Sequence, residues 1–204
     1  MKKTIASSLL FSAIVFAACN GNNSTSSTTT DSSVSTSTAA GADTGTMNNM
    51  NNTSTASSTP LAAADTGFVM KAANGGMMEV QLGNYAQQNA MNQRVKDFGG
   101  MMVRDHSQAN DELKSIVSNK SVNLPTAVMG DEKGHMDKLM KKTGKDFDKA
   151  YMEMMVEDHK KDISEFEKAE KNVMDADVKA WVSKTLPVLR THLDSAQAIN
   201  KAVH

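Results

Sequence analysis

Cysteine occurs once in this chain, at Cys19, so no internal disulfide can staple the fold. Proline occurs three times, tryptophan once, and aromatic residues make up only 4%, which leaves aliphatic residues and methionine to fill any core. No apolar run reaches the roughly 20 residues that span a bilayer. Basic and acidic residues nearly balance, 22 against 23. No stripe of Lys and Arg is interleaved with aromatics, which excludes nucleic acid as a partner. The GGMM stretches at 75–78 and 99–102 lack the lysine and the strand context of a phosphate loop. Ser107 directly follows His106, and neighbours on a helix do not face each other, so no nucleophile is paired with a base.

What is present begins with MKKTIASSLLFSAIVFAAC. Lys2 and Lys3, the apolar stretch Ile5 to Phe16 and the small residues Ala17 and Ala18 have the order of an export signal over residues 1–18. Cys19 follows at once, and the stretch resembles the lipobox of bacterial lipoproteins, although Phe16 stands where leucine is usual. That resemblance implies acylation of Cys19 and anchoring to a cell-envelope membrane, the outer membrane by expectation. More than one acyl chain holds a protein stably, where a single chain does not. Without Lys2 and Lys3, 20 basic residues face 23 acidic ones, a net charge near −3.

Residues 19–64 are rich in Ser, Thr and Asn and contain almost nothing to bury, so a disordered tether is expected there. Met47 and Met50 are too sparse to form a metal-binding tract.

From residue 65 to 204 the apolar residues recur at three- and four-residue steps, and strand-like alternation is absent. A first helix is expected from after Asp65, as N-cap, to about Gln88, with Phe68, Ala72, Gly75, Gly76, Glu79, Gly83 and Ala86 facing inward. A second spans about Met91 to Lys120. A short helix, Asp131–Lys142, follows the breaks at Pro125 and Gly130. A third long helix covers about Asp146 to Asn172. A fourth starts at Asp175–Asp177 and is kinked or divided at Pro187.

The second and third long helices share a phrase. MMVRDH at 101–106 recurs as MMVEDH at 154–159, and Phe98 and Glu112-Leu113 extend the match to Tyr151 and Glu165-Phe166. Two equivalent helices joined by a long connection fit an up-down-down-up four-helix bundle, in which those two run parallel. The fold class expected is all-α, a ferritin-like bundle with a short helix in the crossover.

The segments GGMMEVQLG, VKDFGGMMVRDHSQANDEL, FDKAYMEMMVEDHKKDISEF and WVSKTLPVLRTHLDSA resemble the bacterial domain-of-unknown-function family 4142. The resemblance implies export and a ferritin-like helical bundle, and it supplies no activity.

Each long helix carries one metal-competent residue on or beside its apolar face: Glu79, His106, His159 and His192. Such a set suits Fe, Zn, Cu or Mn better than Ca or Mg. Asp105 and Asp158 are candidates to orient the imidazoles from behind. The alternative is a buried polar network that specifies one packing and binds nothing. A di-iron centre of the ferritin type is disfavoured, because the one Glu-x-x-His, Glu132–His135, lies in the crossover without a twin. The methionines, Met77, Met102 and Met155 among them, fall at helical spacing and are expected to fill the core instead of binding copper. The primary expectation is therefore a non-enzymatic envelope lipoprotein without a cofactor, acting in binding or envelope maintenance, its ligand unspecified. The alternative is a transition-metal-binding or redox protein using the Glu/His set.

Overall fold

The computed structural model describes residues 60–204. Cys19, the leader and the rest of 1–59 lie outside the described residues. Helix α1 spans Ala63–Asn89, α2 Gln93–Val117, the short α3 Gly130–Leu139, α4 Gly144–Asn172 and α5 Ala176–Val203. No strand occurs among the described residues, and no helix there is long and apolar enough to cross a membrane.

Local chemistry sets the helix starts. The Asn92 side chain accepts from Arg94 N–H to open α2, and Asp175 accepts from Asp177 and Val178 N–H to open α5. Asp65 does not cap α1 as expected. It lies in the first turn, buried, and accepts from the backbone N–H groups of Met174 and Asp175 in the α4–α5 turn, at 3.1 and 3.0 Å. Turning Asp65 inward rotates the helix, so Val69, Ala73 and Gly76 are buried while Phe68, Ala72 and Gly75 are only half-buried. Helix α5 runs unbroken through Pro187, which corrects the expected division. Buried Leu186 and Leu189 on either side hold that turn in the core.

α1 packs on α2 and α4 on α5, each pair joined by a short turn. The two hairpins meet through α2 on α5 and α1 on α4. Phe98 of α2 lies 6.1 Å from Tyr151 of α4, and eight residues further along both helices His106 lies 5.7 Å from His159. α2 and α4 are therefore parallel, and the connectivity is up-down-down-up. The crossover between them is fastened to α1: Asn74 exchanges two hydrogen bonds with the Met129 backbone, and the Tyr85 hydroxyl donates to Met140 O.

The buried apolar residues form two clusters. One contains Leu82, Phe98, Met102, Phe147, Tyr151 and Met155; the other contains Val69, Leu113, Phe166, Trp181, Val182 and Leu186. Between them, near the middle of all four long helices, lies a buried polar layer.

Candidate metal centre

That layer takes one residue from each long helix: Glu79, His106, His159 and His192, all at most 7% exposed. Two close approaches of α1 and α2 place the first pair. A Cβ at Gly83 would stand 2.6 Å from Gly99 O, and one at Gly76 would stand 2.5 Å from Asn110 Oδ1. Glu79 and His106 lie between these two contacts; at Gly83 the neighbour is backbone, so only glycine allows that approach, whereas at Gly76 it is the Asn110 side chain. His159 follows the fully buried Met155 by one turn, and His192 follows Leu189 in the same way.

The outer nitrogen of each ring faces an oxygen. His106 Nδ1 is 2.9 Å from Glu79 Oε2. His159 Nδ1 is 2.9 Å from Met155 O, with Glu79 Oε1 at 3.5 Å. His192 Nε2 is 2.9 Å from Asp105 Oδ2. A carbonyl cannot donate, and both carboxylates are ionised. Burial raises the Glu79 pKa, yet His106 and His159 outweigh it and bring it to about 2. Burial likewise works against the Asp105 carboxylate, but Arg104 and His192 outweigh it and lower its pKa. Each outer nitrogen therefore carries a hydrogen and donates it.

In any ring that is neutral, the inner nitrogen is then the one without a hydrogen. His159 Nε2 and His192 Nδ1 stand 3.3 Å apart. His106 Nε2 is buried with no hydrogen-bond partner. Metal-competent atoms of the three rings lie within 4.8 Å of one another. Nitrogens so placed are satisfied either by an added proton or by a metal ion among them. A proton is disfavoured on two rings, because burial lowers the pKa of His159 and brings that of His192 down to about 4. At His106 burial is outweighed by Glu79, and its pKa is raised. Even as an imidazolium, His106 would leave Nε2–H without an acceptor.

A transition-metal ion fits this donor set. Nitrogens about 2.0–2.1 Å from a tetrahedral centre are about 3.3–3.4 Å apart, the separation of His159 Nε2 and His192 Nδ1. His106 offers a third nitrogen within 4.8 Å of the other two rings' ligand atoms. The Glu79 and Asp105 carboxylates together balance a divalent charge. Carboxylate and carbonyl oxygens behind metal-bearing imidazoles fix the tautomer and ring orientation.

Of the residues singled out by sequence, Glu79 stands behind two rings, at their outer nitrogens, and not on the side where the lone pairs converge. Asp105 stands behind His192. Asp158 bonds no imidazole: its buried Oδ2 has no partner, and burial, then Glu79, pushes its pKa up to about 7. Sequence reasoning missed Asp162, which lines a cavity of about 30 Å³ with Glu79 and His106. Burial, then Glu79, raises its pKa well above the ordinary carboxylate value. The signal was its position, one turn after His159 in the sequence His-Lys-Lys-Asp.

The geometry defines a class: an all-α bundle domain with a three-histidine cluster backed by carboxylates in its centre. The chain belongs to the DUF4142 family, a domain of unknown function, whose sequence model matches residues 50–199. No curated protein and no solved structure matches the chain.

Proposed function

We propose that this protein is an exported lipoprotein whose helical domain binds one transition-metal ion through His106, His159 and His192. The observation that carries the metal-binding function is the convergence of three imidazole nitrogens whose opposite nitrogens all donate to oxygen acceptors. A purely structural network would place a donor against each acceptor. Here His159 Nε2 and His192 Nδ1, whose opposite nitrogens both face oxygen acceptors, stand 3.3 Å apart, and the buried His106 Nε2 has no partner. The donor set favours Zn, Fe, Cu or Mn over Ca or Mg. Glu79 and Asp105 act by orienting the rings. The order of basic start, apolar stretch, small residues and Cys19 supports export and acyl anchoring to the envelope membrane.

The test is metal content by mass spectrometry on protein refolded with Fe, Zn, Cu or Mn in turn. Near one equivalent of metal per chain is expected, falling to background in His106→Ala/His159→Ala. Background content in both proteins would rule out the metal-binding function. For the anchor, Cys19→Ser is expected to move the protein from the membrane fraction to the soluble fraction; unchanged fractionation would rule out acylation as the anchor.

A further inference from the structure

Among the described residues, three nitrogens make up the inner donor set: Glu79 stands behind the rings, and Asp105 reaches the outer nitrogen of His192. A site with three protein ligands keeps a coordination position for an outside molecule, whereas a structural zinc site closes with four. The position matters only if something can reach it. A groove of about 80 Å³ runs between α2 and α5 and is lined by Asp105, His106, Thr185, Val188, Leu189 and His192. Two of the three histidines thus contribute to its lining. His106 is 7% exposed, and its partnerless Nε2 is buried beneath this lining. Val188 at the rim is 38% exposed, so the groove opens to solvent.

The dimensions select the visitor. Sites for organic metabolites and drug-sized ligands occupy about 300–1,000 Å³. At roughly 10–15 Å³ per water, 80 Å³ holds about five to eight water-sized groups, well short of an organic metabolite.

Building on the metal site proposed above, we infer that the α2–α5 groove admits a small inorganic ligand of two or three non-hydrogen atoms to an open position on the ion. The domain is in that case a ligand-accessible metal centre, not a metal-stapled structural one.

The experiment uses the protein loaded with Co(II), whose visible spectrum reports its coordination, with cobalt content measured separately. Sodium azide is the probe, and 4-phenylimidazole is the size control. Azide is expected to change the cobalt bands saturably, and 4-phenylimidazole to leave them unchanged. Val188→Trp at the rim and Thr185→Ile deeper in the groove are each expected to weaken azide binding at least tenfold at unchanged cobalt content. Bound cobalt that ignores azide would overturn the inference while leaving the metal-binding function intact. Azide affinity untouched by both substitutions, or equal binding of the bulky imidazole, would overturn it as well. Failure to bind cobalt, zinc or iron at all would instead remove the metal-binding function itself, and this inference with it.

Discussion

Asp65 and Asp148 make the same contact from opposite hairpins. Asp65 on α1 accepts from Met174 and Asp175 N–H in the α4–α5 turn, and Asp148 on α4 accepts from Met91 and Asn92 N–H in the α1–α2 turn. The two aspartates are 83 positions apart (65 to 148), and so are the turns they grip (91 to 174, 92 to 175). The capping residues Asn92 and Asp175 keep the same offset. The bundle is thus two similar helical hairpins, each clasping the turn of the other.

These clasps should be costly to lose. Hydrogen bonds to a charged acceptor contribute about 1.5–3 kcal/mol, and buried N–H groups left behind add a penalty. Asp65→Ala and Asp148→Ala are each expected to destabilise the domain by about 3 kcal/mol in urea unfolding. A loss below about 1 kcal/mol in either would show that water replaces the carboxylate at no cost.

The glycines between α1 and α2 make a paired prediction. A Cβ at Gly83 meets Gly99 O at 2.6 Å, whereas one at Gly67 meets nothing within 4 Å. Gly83→Ala should destabilise by about 1–3 kcal/mol, as overpacking does, and should weaken metal binding by separating Glu79 from His106. Gly67→Ala should stabilise by up to about 1 kcal/mol, since alanine is the better helix former. Thermal melts and metal titration of the two variants check both halves.

Asp158 gives the domain a pH dependence of definite sign. Burial and the nearby Glu79 carboxylate raise its pKa to about 7 from 3.8. A carboxyl raised in the folded state contributes stability that is fully present below the unfolded pKa. That contribution is lost as pH rises from about 4 through about 7. Asp158→Asn should therefore flatten the decline and stabilise the domain above pH 7. The gain should be on the order of 1–2 kcal/mol, discounted from full linkage because the group is partly solvated. Unfolding at pH 5 and pH 8 provides the comparison, and an equal effect at both would contradict the assignment.

The supporting carboxylates separate ring orientation from ligation. Groups behind metal-bearing imidazoles typically carry about 10–100-fold of metal affinity. Glu79→Gln and Asp105→Asn should each weaken binding within that range without changing the stoichiometry. Asp158→Asn, whose carboxylate touches no ring, should leave affinity unchanged within threefold. Competition against a chelator measures all three.

How far these features could be read from sequence depends on distance along the chain. The 3.6-residue rhythm delivered four long helices, and it placed Glu79, His106, His159 and His192 on their inner faces, because burial of a helix face is a local property. The twin MMVxDH phrases pointed to parallel α2 and α4, with Met102 and Met155 both fully buried one turn before their histidines. Partners were not legible. Asp65 looks like an N-cap, since its true acceptor role depends on a turn more than 100 residues away. Asp158 repeats Asp105 in the phrase, yet only Asp105 bonds an imidazole, that of His192 on α5. Pro187 is a breaker by local rule, and packing of α5 on its neighbours overrides that rule. The correspondence of the hairpins at 83 residues rests on scattered matches such as Ala86 with Ala169, Asn89 with Asn172 and Val95 with Val178, too sparse to stand out before the fold aligned them.

The most direct test of the central claim is X-ray absorption at the metal edge of protein loaded with one equivalent of zinc. The account predicts a first shell of nitrogen and oxygen, with the outer-shell pattern of about three imidazoles, reduced by about one in His192→Ala. A zinc shell of oxygen alone, or one unchanged in that variant, would contradict binding by His106, His159 and His192.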